Sequence, residues 1–159
     1  MILSVFCISL MVLFFWAAGL IAKNERIERQ QKFVSAFREM FSATDKALLE
    51  FSEIDEKYLK GEEGRENYEK AFYILNHKLE EIKKQEGKLD NPPENIKEMV
   101  DLYRKGFSQV LSVTDGAVNY LSGLTDDPLV IVKGKDKFVE GLQLLKEVKD
   151  KLRSEGKAI

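Results

Sequence analysis

The apolar residues of the chain fall into one continuous N-terminal run and four periodic segments. Residues 2–22 contain no Asp, Glu, Lys, Arg or His and are dominated by large aliphatic and aromatic side chains. From residue 24 onward, apolar residues recur at alternating intervals of three and four, which is the period of a helix with one buried face. No segment alternates apolar and polar residues one by one, as a half-buried strand does. The pattern therefore predicts an all-α protein.

The first two periodic segments predict helices over residues 24–60 and 65–86. Between them stands the sequence GEEG, residues 61–64, and glycine readily adopts the left-handed conformation in which helices end. Gly87 is placed to end the second helix. The predicted core positions of these two helices are Phe33, Phe37, Met40, Phe41, Ala47, Leu48, Phe51, Ile54, Tyr58, Tyr68, Phe72, Leu75, Leu79 and Ile82.

Two short sequences predict where the third and fourth helices begin. In LDNPPEN, Asn91 stands as an N-cap, Pro92 as the first helical residue and Glu94 as the distal residue of a capping box. In LTDDPLVIV, Asp127 and Pro128 repeat the cap and the first helical residue. Both helices are therefore predicted to begin at a proline.

The third helix is expected to end at Gly123 and the fourth near Ser154, with Gly156 beyond its end. The start of the fourth helix is less regular, because residues 129–132 form an aliphatic, mostly β-branched run and Gly134 follows closely. A short strand or an irregular turn is the alternative there. The predicted core positions of these helices are Ile96, Val100, Tyr103, Phe107, Val110, Leu111, Ala117, Val118, Leu121, Phe138, Leu142, Leu145, Val148 and Leu152.

Four amphipathic helices joined by short links predict an antiparallel up-down-up-down four-helix bundle. No such helix buries its apolar face alone, and short links make successive helices antiparallel. We assign the bundle to residues 33–159. Because the first predicted helix is longer than the second, residues 23–32 are expected to form a helical stalk that leads from the N-terminal run, residues 1–22, to the bundle.

Residues 2–22 predict a transmembrane anchor in contact with the lipid bilayer. As a helix at about 1.5 Å per residue, the run matches the hydrocarbon core of a bilayer, and Trp16 and Lys23 mark one interface. A cleaved signal peptide is the alternative, since Ala17 and Gly19 fit a cut after Gly19. However, no basic residue precedes the run, and the run continues beyond Gly19. We therefore expect the run to be retained as a signal anchor.

The charges after the apolar run leave two placements for the bundle. Lys23, Arg26, Arg29 and Lys32 follow the run, and the positive-inside tendency then favours a cytoplasmic bundle. Long domains are translocated largely regardless of flanking charge, and an N-terminal anchor that holds a domain outside is a common arrangement. We expect a single-pass membrane protein whose bundle lies on the extracytoplasmic side, with the cytoplasmic placement as the alternative.

The charge composition argues against nucleic acid as a partner. The chain has 25 Lys and Arg against 27 Asp and Glu, a formal net charge of −2 at pH 7, so it lacks a broad attraction for phosphate backbones. The lysines from residue 133 onward are interleaved with acidic residues, which is typical of a solvated helix face. The only cysteine, Cys7, lies in the apolar run, so the predicted bundle has no internal disulfide.

Patterns that would indicate catalysis or metal binding are missing from the sequence. A di-iron bundle needs Glu and His three residues apart, whereas His77, the only histidine, has Ile74 in that position. Ser108 and Ser112 have no histidine on their own helix to act as a base. We therefore assign no catalytic, cofactor-binding or metal-binding residue and predict a protein that is not an enzyme. His77 is expected on a solvated flank of the second helix.

Four glycines inside the last two predicted helices need a reason, because each costs up to about 1 kcal/mol relative to alanine. They are Gly106, Gly116, Gly134 and Gly141. Close contact between helices is the simpler interpretation, and space for a ligand or a hinge is the other.

Taken together, these features predict a membrane-tethered helical bundle that acts by protein–protein interaction or scaffolding, without catalysis. A sensor or ligand-binding bundle that works through a partner is one alternative. A secreted binding protein released by signal cleavage is another. The anchor, the bundle and the missing catalytic groups favour the first of the three.

Overall fold

A computed structural model describes the backbone of residues 2–126 and 129–156, and the side chains of residues 19–126 and 133–154. Over these residues the chain forms helices and no strand, which confirms the predicted all-α class. Two short 3-10 turns lie between the second and third helices. In chain order the elements are α1 (Ile2–Leu59), α2 (Arg65–Lys83), the 3-10 turns Glu86–Leu89 and Glu94–Ile96, α3 (Lys97–Leu121) and α4 (Leu129–Gly156).

α1 runs without a break through the predicted stalk into the bundle. Nearly all side chains of residues 19–32 are exposed, and the first fully buried residue of α1 is Phe37. Over the residues that the structure describes, no helix is long and apolar enough to cross a membrane. Most of the predicted anchor, residues 2–22, lies within residues 1–18, whose side chains the structure does not describe. The anchor therefore has no support from the structure and stays a prediction.

Two glycines end helices in the manner that the sequence predicts. Gly61 has a φ of 72° and Gly123 a φ of 69°. At the first, the Gly61 N–H donates to the Tyr58 carbonyl and the Glu62 N–H to the Lys57 carbonyl, at 3.0 and 2.9 Å. At the second, the Gly123 N–H donates to the Tyr120 carbonyl and the Leu124 N–H to the Asn119 carbonyl, at 3.0 and 2.9 Å. Both helix ends are therefore Schellman motifs. The predicted ends of α1 and α3 are confirmed.

The link between α2 and α3 differs from the prediction. α2 ends at Lys83, before Gly87, and α3 begins at Lys97 rather than at Pro92. Asn91 has a φ of 55° and does not cap a helix. The physical reason is the second proline, since a residue that precedes proline is disfavoured in the helical conformation. Pro92 precedes Pro93 and therefore cannot serve as the first residue of a helix.

The start of α4 rules out one alternative, and its end lies slightly beyond the expected position. Asp127 and Pro128, the predicted cap and first residue, lie outside the described residues. The backbone is already helical at Leu129, so the alternative of a short strand over residues 129–132 is wrong. At the other end the helix extends through Gly156, two residues beyond Ser154.

α3 and α4 pack closely because glycines face each other across their contact. A Cβ added at Gly106 would lie 2.9 Å from the Gly141 carbonyl oxygen, and one added at Gly141 would lie 2.9 Å from the Gly106 carbonyl oxygen. Seven residues further along α3, a Cβ added at Gly134 of α4 would lie 3.0 Å from Val113 Cγ1. The two contacts share one antiparallel register. Close helix contact, rather than space for a ligand, accounts for these three glycines.

The core is built around Tyr103 of α3. Its ring packs edge-on against Phe37 of α1, with ring centroids 5.6 Å apart, and stacks against Phe107 at 5.6 Å. Its hydroxyl lies 3.0 Å from that of Thr44, which itself donates to the Met40 carbonyl. The Thr44 proton is thereby used, so Tyr103 donates to Thr44. Burial raises the pKa of Tyr103 to about 12.

Most predicted core positions are buried or partly buried, which confirms the stripes. Leu142 and Tyr58 are exceptions, since both are exposed. Leu142 was expected in the core because it continues the periodic stripe of α4, but no helix covers it on that side. Core residues outside the predicted stripes include Thr44, Ala71, Leu89, Met99 and Thr114.

Candidate functional site

The bundle is open along one side, between its first and last helices. α1 packs along α2, α2 along α3, and α3 along α4. Between α1 and α4, in contrast, lies a groove of about 470 Å³. The two helices are bridged at one end of it by Lys149 and Asp45, with Nζ 2.7 Å from Oδ2. Thirteen residues of α1 and α4 line this groove.

The floor and walls of the groove are apolar. Phe51 of α1 and Leu145 of α4 are buried at its floor, and Leu48 and Phe138 are half-buried beside them. Leu49 on one wall and Leu142 on the other remain 53% and 37% exposed. Exposed leucines on both walls of a concave surface are typical of a surface that contacts another molecule.

Two leucine pairs explain why the walls stay apolar. Adjacent residues on a helix point about 100° apart, because one turn takes about 3.6 residues. In α1, Leu48 is half-buried between the core and the groove floor, and Leu49 is exposed on the groove wall. In α4, Leu144 and Leu145 both pack beside Gly106 of α3, and Leu145 also reaches the groove floor. Each helix thus carries an apolar arc wider than one neighbour covers.

The two ends of the groove are polar. At one end, Lys149 and Asp45 form the bridge already described, with side chains that are about one-third exposed. At the other end, the Tyr68 hydroxyl donates to Asp55 Oδ1 over 2.9 Å. Burial, with the acceptor Asp55 beside it, raises the pKa of Tyr68 well above its ordinary value. Tyr68 therefore remains a protonated donor that holds Asp55 in place at physiological pH.

Charge is distributed unevenly over the two walls. The α1 wall carries the acidic Asp45 and Asp55. The α4 wall carries Lys146, Lys149 and Arg153, with a single acidic residue among them, Asp150. Within the described part of the chain, neither Lys146 nor Arg153 forms an ion pair. A surface that covers this groove would therefore meet an acidic side and a mainly basic side.

The residues considered for chemistry in the sequence lie away from this groove. His77 is exposed on α2, and Ser108 and Ser112 are exposed on α3. The described residues contain no group of three or more His, Cys, Asp or Glu side chains placed to hold a metal ion. The groove itself is lined by leucines, phenylalanines, one serine and charged side chains. This lining suits binding, because it provides contact area and charge without a nucleophile beside a base.

The sequence interpretation missed the groove residues for a physical reason. It placed Leu142 in the core and did not assign Leu49, Lys146 or Arg153 any role. The available signal was the leucine pairs at residues 48–49 and 144–145, which widen the apolar arc of each helix. These leucine pairs do not reveal which side of the bundle stays open, because that depends on how all four helices pack.

Comparison of the chain with models of protein families, with curated proteins and with solved structures finds no match. The interpretation of the groove therefore depends on its residues alone.

Proposed function

We propose that this chain is a membrane-tethered helical bundle whose α1–α4 groove binds the surface of another membrane-tethered protein. It acts as a docking or scaffolding module and carries out no reaction. The observation that supports this function most directly is the open groove with exposed Leu49 and Leu142 on its walls. Such a surface contributes to stability only when something covers it, because exposed apolar area is unfavourable in water.

The tether is proposed from the sequence of the first part of α1. Residues 2–22 carry no charged side chain, and their length as a helix matches the hydrocarbon core of a bilayer. α1 continues from this segment into the bundle as one helix. A continuous helix would hold the groove at a fixed height above the membrane, so partners tethered to the same membrane would reach it in one orientation.

A protein surface fits the groove better than a small molecule does. The groove lies open along three turns of α1, from Asp45 to Asp55, and charged side chains border both of its walls. Ligand sites for small molecules usually enclose most of the ligand. An extended, apolar surface with acidic and basic borders instead resembles the anatomy of a protein interface, in which an apolar centre has a polar rim.

The experiment compares two matched substitutions in the full-length chain. Leu49 in the groove and Ile74 on the outer face of α2 are 53% and 54% exposed. Tagged wild-type, Leu49→Glu and Ile74→Glu proteins would be purified from membranes of the native cell, and the proteins that accompany them would be quantified. Because both sites are exposed, both variants should fold and keep the thermal unfolding midpoint of the wild type.

We expect Leu49→Glu to weaken partner recovery by about tenfold or more, which corresponds to about 1.4 kcal/mol, because it places a charge in an apolar contact. Ile74→Glu should leave recovery unchanged. Equal recovery with all three proteins would disprove docking at the groove. Extraction of the chain from membranes without detergent would disprove the tether.

A further inference from the structure

The groove presents opposite charges at the same height on its two walls. α1 and α4 run antiparallel, and the Lys149–Asp45 pair fixes their relative height. The acidic α1 wall and the mainly basic α4 wall therefore lie along the same stretch of the bundle. Opposite charges facing a common groove are one half of a complementary surface.

A rotation of 180° about an axis parallel to the helices turns this surface into its own complement. In the second copy, α1 points in the same direction as in the first. It lies opposite α4 of the first copy, and α4 of the second copy lies opposite α1 of the first. In the resulting pair, α1 of one copy faces α4 of the other, so an acidic wall meets a mainly basic wall twice. Leu49 of one copy then lies across from the α4 wall that carries Leu142 of the other. Such a twofold contact is isologous and closed, as most homodimer interfaces are.

The stalk, together with Leu20 before it and Val34 after it, carries a second feature on the same face of α1. Leu20, Ile27 and Val34 recur every seven residues, with Asn24 and Gln31 between them. This is a heptad pattern with apolar residues at one core position and amides at the other, and buried amides specify the register of two-stranded coiled coils. Leu20 and Ile27 are each 42% exposed in the single chain.

The stalk pattern and the groove wall belong to one stripe. Their residues follow one another at intervals of three, four or seven, which keeps them on one side of a helix. Beyond the C-terminal end of α4, no α4 helix lies between the two copies of α1, so the stalks of a groove-to-groove pair would converge on the twofold axis along this stripe. The stripe consists of Leu20, Asn24, Ile27, Gln31, Val34, Arg38, Asp45, Leu49 and Ser52.

The stalk surface has the shape that a coiled-coil partner requires. A concavity of about 440 Å³ lies along it and includes Ile27, Gln30, Gln31 and Val34 in its lining. In a parallel two-stranded coiled coil, each core side chain inserts into a hole formed by four residues at these relative positions on the facing helix. The side chain that would enter this hole is Gln31 of a second copy.

Charges beside the seam favour the parallel arrangement. In the heptad defined by Ile27 and Gln31, Lys23 and Glu28 occupy the two flanking positions that pair between parallel helices. Neither residue has an ion-pair partner among the described residues of its own chain. A second copy in parallel register supplies Glu28 to Lys23 and Lys23 to Glu28.

We propose that the partner of the groove is a second copy of this chain, in a parallel twofold dimer that joins groove to groove and stalk to stalk. This inference rests on the proposed function and names its partner. Tethering both chains to one membrane gives them the same direction and raises their effective concentration. The seam, with few apolar residues of its own, is then sufficient to hold the stalks together.

The test is disulfide crosslinking of the full-length chain in its native membrane, in a Cys7→Ser background that removes the natural thiol. One variant carries Ile27→Cys in the seam, and its control carries Arg29→Cys on the opposite side of the same helix turn. A disulfide needs Cα atoms within about 7 Å of each other, which core positions of a coiled coil satisfy and outward positions do not. We expect an oxidised dimer with Ile27→Cys and none with Arg29→Cys.

A third variant combines Ile27→Cys with Leu49→Glu and should lose the crosslinked dimer, because the groove contact and the stalk contact belong to one interface. No crosslink at residue 27, or equal crosslinking at residues 27 and 29, would overturn the dimer. A crosslink that persists with Leu49→Glu would overturn the groove-to-groove arrangement. If no dimer forms but a different protein is still recovered in a Leu49-dependent manner, the dimer is wrong while the docking function stands.

Discussion

Glycine has two opposite roles in this chain, and they differ in how easily they are predicted. Gly61 and Gly123 adopt a positive φ at the ends of helices, a local role that their position after an apolar stripe reveals. Gly106 and Gly141 lie inside helices, where each allows the other to approach. Their role depends on which helix is the neighbour, so the sequence left a ligand site or a hinge as an alternative.

The contact between Gly106 and Gly141 gives a prediction for Gly141→Ala. A methyl group there would lie 2.9 Å from the Gly106 carbonyl oxygen, and this backbone atom cannot move without shifting α3. Overpacking of this kind costs about 1–3 kcal/mol, which exceeds the gain of up to about 1 kcal/mol in helix propensity. Urea unfolding should show a net loss of stability.

Gly87→Ala is the matched control for this substitution. A Cβ at Gly87 would have no other heavy atom within 4 Å, and its φ is not positive. Its effect on the free energy of unfolding should stay within about 0.5 kcal/mol. If Gly141→Ala is as harmless as the control, α3 and α4 are further apart than the structure places them.

At the scale of elements, periodicity predicted all four helices but not the link between α2 and α3. A periodic stripe of apolar residues marks the face of a helix that is buried, and the stripes of α1 to α3 are largely buried. The signals for the start of α3 conflicted, because Asn91 and Pro92 favour a helix start while Pro93 disfavours one. The prolines decided the outcome: a 3-10 turn over Glu94–Ile96 precedes α3, which begins at Lys97.

Ion pairs between α3 and α4 predict how stability depends on pH. Lys151 Nζ lies 2.8 Å from Glu98 Oε1, and Lys105 Nζ lies 2.9 Å from Glu140 Oε1. Each lysine lowers the pKa of its glutamate below the ordinary value of 4.5. Because the pKa of each glutamate is lowered in the folded state, its ion pair contributes to the free energy of unfolding at pH values above the unfolded-state pKa. It is lost as the pH falls through the folded-state pKa.

The double variant Glu98→Gln/Glu140→Gln isolates this contribution. Its unfolding midpoint in urea should lie slightly below that of the wild type at pH 7. The difference should shrink as the pH falls below 4.5 and through the lowered folded-state pKa of each glutamate, because the wild-type side chains then become neutral as well. Glu53→Gln, on the exposed surface of α1 and without an ion pair among the described residues, serves as control. A difference that grows on acidification would contradict the assignment of these pairs.

At the scale of the whole molecule, the decisive feature is a side of the bundle that does not close. The sequence predicted four helices in antiparallel order, and this order would let α4 cover α1. In the structure, the close contact of α4 with α3 at Gly106 and Gly141 draws α4 towards α3 and leaves the groove beside α1. Closure is a competition among all helix pairs, so no single stripe reveals it. This is why Leu142 was predicted in the core and Leu49 was assigned no role.

Site-specific photocrosslinking in the native membrane tests directly whether the groove is a docking surface. A photoreactive amino acid would replace Leu49 in one full-length variant and Ile74 in another, two positions of nearly equal exposure on different faces. We expect a crosslinked protein adduct from position 49 and none from position 74. For the dimer, the adduct maps to residues 138–153 of a second copy. Absence of any protein adduct at position 49, or equal adducts at both positions, would contradict docking through the α1–α4 groove.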